Sequence, residues 1–232
     1  MKRTMALKSA AVLGAVSIVL AACSSGGSET ATEATAAASA AASAAASAAT
    51  AECKNSTLIV GSLLPQTGDL AFLGPPEFAG LKKAIAEIDA AGGALGQPVT
   101  YIEGDSGDAT TDTASQTVDS HLSQGVQAII GAASSGVSLT VIDKITSNGV
   151  LQMSPANTSP ALTTYEDNGL YWRVAPSDAL QGAVIAQTAI DAGITKAAVI
   201  ARQDAYGEGL EKAFVKNFSE AGGTVTSEIL YD

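Results

Sequence analysis

Beyond residue 57, short runs of branched apolar residues alternate with longer stretches whose apolar positions recur every three or four residues. That alternation confines the chain to an α/β architecture built on parallel strands. Residues 57–61 read as a strand covered on both faces. Phe78, Leu81, Ile85 and Ile88 follow at helical spacing, with Lys82, Lys83 and Glu87 on the opposite side. Pro75 and Pro76 suit the start of that helix, and Gly92 and Gly93 suit its end. Next come a strand near 98–103, a helix near 110–124 and a strand at 126–130. A helix over about 137–147, using Leu139, Ile142 and Ile145, and a strand at 150–153 complete a β-α-β-α-β-α-β order. Such an order implies a doubly wound parallel sheet with helices on both faces.

A second run begins after Pro176, with a helix over 178–192, a strand at 197–201, a helix over 206–221 and a strand at 225–230. Its helix end at Ala221, Gly222 and Gly223 echoes Ala91, Gly92 and Gly93 of the first run, which fits two lobes of like construction. Two strands are too few for a doubly wound sheet with its own core. Either they complete the first sheet, or they open a second lobe of which this sequence holds only a part.

The residues before this region have a different character. Lys2, Arg3 and Lys8 precede a short apolar core over 9–20, and Leu20, Ala21, Ala22 and Cys23 close it with small residues before a cysteine. The order is that of an export signal, and its apolar core is shorter than the ~20 residues a bilayer span needs. Its ending resembles the bacterial lipobox, in which the cysteine is lipidated and the preceding peptide removed. On that reading residues 1–22 are a lipoprotein signal peptide and Cys23 carries the lipid; two acyl chains would make a lasting anchor. Residues 23–52 are dominated by Ala, Ser, Thr and Gly and hold no aromatic or branched aliphatic residue, so they cannot form a core. As a flexible spacer, 24–51 would reach roughly 30 Å. Cys53, the second of two cysteines, is then left without a partner in the chain, which suggests that a partner residue lies outside this sequence. Loss of the three positive charges in 1–22 takes the net charge from −11 to −14. So acidic a surface repels phosphate backbones and argues against nucleic acid as a partner.

Enzymatic motifs are missing. There is no phosphate loop, no glycine-rich dinucleotide turn and no nucleophile elbow, because Ala132 and Ala133 stand where the elbow needs glycine. The single histidine, His121, falls on a helix and reads as a surface or half-buried residue rather than an acid–base group. Asp105, Asp108 and Asp112 do not match an EF-hand loop, and loop solvation and helix capping explain them better than calcium. What remains is a pair of polar turns after neighbouring strands, 131–136 and 154–160, where open α/β sheets bind ligands. Backbone N–H groups at the helix start near Ser135 favour a carboxylate, and the hydroxyls of Ser135 and Thr158 could orient it. The same residues could equally be turn formers and caps.

An ordered set of short stretches separates these alternatives. Pro65, Gln66, Thr67 and Gly68 come first, with Phe72, Leu73 and Gly74, then Phe78, Ala79 and Gly80. Ser134 and Ser135 follow, then Ser154 to Thr158, Arg173 with Asp178, Gln181 and Gly182, and Tyr206 to Leu210. In this order they resemble the solute-binding proteins of branched-chain amino-acid ABC transporters, the Leu/Ile/Val type of the type I periplasmic binding proteins. The resemblance covers 57–232 and about half of the expected two-lobed protein. It implies a first lobe over residues 53–175 and the start of a second over 176–232, joined by a first crossover near Ala175 to Asp178.

The resemblance also implies an amino acid held between lobes. Ser135, Ala156 and Thr158, with Ser134 beside them, would meet the α-carboxylate and α-ammonium from the first lobe. Tyr206 would close over the solute from the second, and Asp178 is a further ligand-binding candidate. The family's acidic partner for the ammonium would lie beyond Asp232, so weak or no amino-acid binding is expected of this chain alone. Leu73 stands where the family often has an aromatic residue, which leaves the side-chain preference open. Hinge closure and docking to a membrane permease would follow, outside the cytoplasmic membrane, with no cofactor, no metal and no covalent chemistry. Two other uses remain: a sensing domain for amino acids or amides, and an exported α/β hydrolase. The lipid anchor favours transport over sensing, and a hydrolase would need the nucleophile elbow and usable histidine that are missing.

Overall fold

The computed structural model describes residues 57–231, so the expected signal peptide, Cys23, the spacer and Cys53 lie outside the described residues. Five strands form one parallel sheet in the order β2-β1-β3-β4-β5. They are β1 (Ile59–Leu63), β2 (Thr100–Ile102), β3 (Ala128–Gly131), β4 (Leu151–Ser154) and β5 (Tyr171–Arg173). Three helices join them: α1 (Gly74–Ala90), α2 (Thr113–Ser123) and α3 (Ser135–Ser147). The second run gives α4 (Asp178–Asp191), β6 (Lys196–Arg202), α5 (Gly207–Glu220) and β7 (Thr224–Tyr231). β6 and β7 pair in parallel with each other and not with the first sheet, so the second run starts a lobe of its own.

The expected alternation is the one found, with three differences. β1 is displaced two residues along the chain, Ile59–Leu63 in place of 57–61, which brings the fully buried Leu63 into the strand. β5 is absent from the sequence reading: three residues, Tyr171, Trp172 and Arg173, make no apolar run, and only pairing with Gln152, Met153 and Ser154 reveals the strand. In α3 the buried stripe is Val137, Val141, Ile142 and Ile145, while Leu139 is only half-buried.

The first-lobe core lies between α2, α3 and the sheet, where Leu63, Val118, Ile129, Val137, Val141 and Ile145 are essentially inaccessible. Burial of such side chains contributes roughly 1.5–3 kcal/mol each. Helix α1 is different: Phe78, Leu81 and Ile85 are half-buried, Ile88 is 43% exposed, and only Gly74 is buried. It does start at the paired prolines and stop at Gly92 and Gly93, both at positive φ. In the second lobe α4 and α5 pack closely through Gly182, where a Cβ would stand 2.5 Å from that of Ala213. Phe214 and Phe218 stack with centroids 5.1 Å apart, and Phe218 is buried. Ile200, Ile229 and Tyr231 of the two-stranded sheet are exposed.

His121 corrects the sequence reading. It is 1% exposed, and its Nε2 lies 2.8 Å from the Ser62 carbonyl. A carbonyl only accepts, so Nε2 carries the proton and donates. α2 faces β1 through this residue, and Gly61 of β1 and Gly104 after β2 leave the space that the imidazole fills. A Cβ on Gly104 would come within 2.3 Å of Thr117 Cγ2 and 2.8 Å of His121 Nε2. Gly104→Ala is therefore expected to destabilise by about 1–3 kcal/mol through overpacking, read as a lower denaturation midpoint with an unchanged m-value.

Candidate functional site

In the order 2-1-3-4-5 the sheet grows one way from β1 to β2 and the other way from β1 to β3. The loops leaving β1 and β3 therefore part, and open α/β sheets bind ligands in that crevice. A cavity of about 310 Å³ lies there. Leu70 and Leu73, after β1, line one side, and Ala133, Ser134 and Ser135, after β3, line the next. Ala156 and Thr158 come from the turn after β4. The second lobe closes it with Gln181 of α4 and with Arg202, Asp204 and Tyr206 from the end of β6.

A buried polar network sets the two first-lobe turns. Ser154 Oγ donates to the Ala132 carbonyl at 2.6 Å and accepts from Ala156 N and Asn157 N. Asn157 Nδ2 donates to the Ala133 carbonyl at 2.8 Å, and Tyr171 Oη donates to Asn157 Oδ1 at 2.8 Å. Burial pushes the Tyr171 phenol up to about 12, which keeps that donor protonated. Gly131 makes the first turn possible: its φ is 134°, and a Cβ there would fall 1.9 Å from the Leu63 carbonyl.

Ser134 and Ser135 divide the work at the start of α3. Ser134 is the N-cap, its Oγ accepting from Val137 N at 3.4 Å, so its side chain is committed to the helix. Ser135 Oγ accepts from Thr158 N and Ser159 N, each at 3.3 Å, which ties the two turns together. Two accepted bonds leave the hydroxyl proton of Ser135 free to donate. Ala156 N is taken by Ser154, so Ala156 offers a ligand its carbonyl.

Thr158 Oγ1 is buried without a hydrogen-bond partner, as are both carboxylate oxygens of Asp178. Asp178 is fully buried at the start of α4 and does not line the cavity itself; its backbone N donates to the Thr158 carbonyl at 2.8 Å. Burial raises the Asp178 pKa, and the facing Thr158 hydroxyl and the Arg173 charge oppose the rise without cancelling it. Tyr206 is 41% exposed; burial, then the nearby Asp178 and Asp204 charges, raise its phenol. The expected residues Ser135, Ala156, Thr158, Leu73, Ser134 and Tyr206 thus line one cavity, and Asp178 lies behind Thr158.

The sequence reading missed Leu70, Ala133, Arg202 and Asp204 as lining residues, and gave Gln181 no such role. Arg202 and Asp204 stand at the carboxyl end of β6, so the rule that selected the two first-lobe turns would have selected them too. Phe72, beside Leu73, is 71% exposed and does not line the cavity. The aspartates after β2 have a specific role in place of general solvation or capping. Asp105 accepts from Gln66 N and Thr67 N, and its other oxygen from Thr67 Oγ1 at 2.5 Å. Burial alone would raise its pKa; these bonds and one from Gly107 N hold it below the ordinary carboxylate value. Asp108 accepts from Asp69 N, and Asp112 makes no side-chain cap to α2. Among the described residues no group of three or more His, Cys, Asp or Glu is placed to hold a metal ion.

The arrangement has counterparts in known proteins. A Leu/Ile/Val-binding protein homologue of Brucella abortus is 32% identical over 176 residues, 75% of this chain and 46% of the relative. A leucine-binding protein of Thermotoga maritima superposes with a TM-score of 0.67 at 26% identity, covering 75% of this chain and 49% of the other. An ABC transporter substrate-binding protein of Desulfitobacterium hafniense, solved with Leu, gives a TM-score of 0.63 at 26% identity, covering 76% and 51%. The chain spans about half the length of the curated relatives it matches. The sequence description of the family "periplasmic binding protein" matches residues 57–232. With its doubly wound five-stranded sheet and its cavity at the strand ends, the chain belongs to the periplasmic binding protein family.

Proposed function

We propose that the chain is the amino-acid-recognising part of an extracytoplasmic solute-binding protein that serves an ABC importer. The observation that carries this reading is the pairing of opposite offers within one small cavity. On the α3 side stand the free proton of Ser135 and the N-terminus of that helix, both suited to a carboxylate. Beside them, on the turn after β4, stand the Ala156 carbonyl, Thr158 Oγ1 and, behind it and outside the lining, the Asp178 carboxylate, all suited to an ammonium. An α-amino acid carries both groups one carbon apart. Leu70 and Leu73 supply an apolar wall for a branched aliphatic side chain. Relatives named for Leu/Ile/Val binding support the same solute class.

The mechanism is closure of the lobes on the solute, with Tyr206 brought over it, and delivery of the closed form to a permease. No bond is made or broken, so no catalytic residue is required. Lipidation of Cys23 and the Ala/Ser-rich spacer would hold the domain near that permease on the outer face of the membrane.

Calorimetric titration of the full-length protein with leucine, valine, glutamate and short aliphatic amides tests the reading. Saturable binding of an aliphatic amino acid, lost when its α-ammonium is removed, is expected. Preference for an amide over every amino acid would replace the proposed solute class.

A further inference from the structure

Arg202 stands where the two lobes meet. Arg202, at the carboxyl end of β6, directs Nε to Asp204 Oδ2 at 2.9 Å and brings a terminal nitrogen to 3.7 Å from Asp69 Oδ2. Asp69 belongs to the first lobe, on the loop between β1 and α1. Both sides of this contact are braced. Asp204 Oδ1 accepts from Tyr206 N and Gly207 N, which fixes Asp204 to the start of α5. Asp69 N donates to Asp108, and Asp105 holds Gln66 and Thr67 just before it. Arg202 lines the solute cavity beside Tyr206, while Leu70 next to Asp69 lines it from the other lobe.

We propose that Arg202 is a positioning residue of the cleft, bridging to Asp69 across its mouth and so favouring the closed arrangement of the lobes. Its Nε is occupied by a partner within its own lobe, which orients the guanidinium, and the free end of the fork points to the opposite lobe. Two carboxylates flank the single guanidinium, so an anionic solute group gains little there, and a contact between lobes is the better use of the charge. The pair is partly exposed, with side chains 35% and 72% accessible. Such pairs are weak, worth about a two- to fivefold change in an equilibrium. That strength suits a contact which must break at each release, and salt screens it.

The proposal rests on reading the cavity as a solute cleft, and its test uses no solute, so the two can fail separately. Spin labels carried on non-natural residues at Ala86 of α1 and Glu220 of α5, both exposed, report the distance between lobes in the full-length protein. Asp69→Asn and Arg202→Gln are each expected to shift the open-to-closed ratio about two- to fivefold towards open, and the double variant no further. Arg202→Lys should keep most of the closed population, and 1 M salt should open the parent but not the double variant. An unchanged distance distribution in Asp69→Asn, or effects that add in the double variant, would overturn the proposal. Asp69→Asn keeps the test valid if Arg202→Gln disturbs folding, since Asp69 is exposed.

Discussion

Asp178→Asn is expected to abolish tight amino-acid binding while making the solute-free protein more stable. The Asp178 carboxylate is fully buried, and neither oxygen has a hydrogen-bond partner. Burial raises its pKa, and the Thr158 hydroxyl, the Arg173 charge and the N-terminus of α4 favour the ionised form without cancelling that rise. A carboxylate left in that state costs stability unless a cation arrives, and on the proposed function the solute ammonium, reaching it past Thr158, would be that cation. Removing one partner of a buried charged contact costs about 2–5 kcal/mol of affinity. At 1.4 kcal/mol per decade this is roughly a 30-fold to few-thousand-fold weaker Kd. The same substitution removes an uncompensated buried charge, for a gain of roughly 1 kcal/mol without solute. The pH dependence gives an independent check. A raised carboxyl pKa means that the folded protein binds the proton more tightly than the unfolded chain. Stability in the parent therefore falls as pH rises from the ordinary carboxylate value through the raised one, and Asp178→Asn should lose that decline. Its advantage appears above this window and vanishes below it. Unaltered affinity in the variant would remove Asp178 from the site; lower stability at neutral pH would mean that its carboxylate is already paired.

This residue also marks how far sequence reasoning reaches. The alternating pattern carries the fold, because apolar period and strand-then-helix order are local properties. It fails at β5, where three residues become a strand only through the edge offered by β4. The same limit governs the site. Ser135, Ala156 and Thr158 stand in turns after predicted strands, and a rule about strand ends selects them without coordinates. Arg202 and Asp204 satisfy that rule as well but sit in the shorter second run, whose two strands are too few to predict a sheet of their own. His121 is opaque for another reason: nothing in its neighbours in sequence shows that a carbonyl of β1 lies 2.8 Å away. Long-range hydrogen bonds, such as those that fasten Asp105 to Gln66 and Thr67, leave no periodic trace.

Ser135→Ala should damage folding and binding together, whereas Thr158→Val should damage binding alone. Ser135 is 2% exposed, and its Oγ is the acceptor for two backbone donors, Thr158 N and Ser159 N. Alanine leaves both without a partner, and an unsatisfied buried donor costs about 1–3 kcal/mol. A loss of roughly 2–3 kcal/mol is expected, which for a domain of this size lowers Tm by roughly 5–10 °C. The turn after β4 also loses its tie to α3, so the Ala156 carbonyl and Thr158 hydroxyl are no longer held at the solute. With the Ser135 donor gone as well, affinity should fall about 10- to 100-fold, the worth of one or two hydrogen bonds to a charged group. Thr158 Oγ1 makes no hydrogen bond in the solute-free protein, so valine strands no donor and removes only the support its hydroxyl gives the facing Asp178 carboxylate. The near-isosteric change keeps Thr158 N on Ser135 Oγ, and the Tm should hold to within a few degrees while affinity drops about tenfold. Melting and titration curves on the two variants separate scaffold from recognition. If Thr158→Val melts lower than the parent, its hydroxyl serves the fold; if it binds leucine as the parent does, the ammonium is held elsewhere.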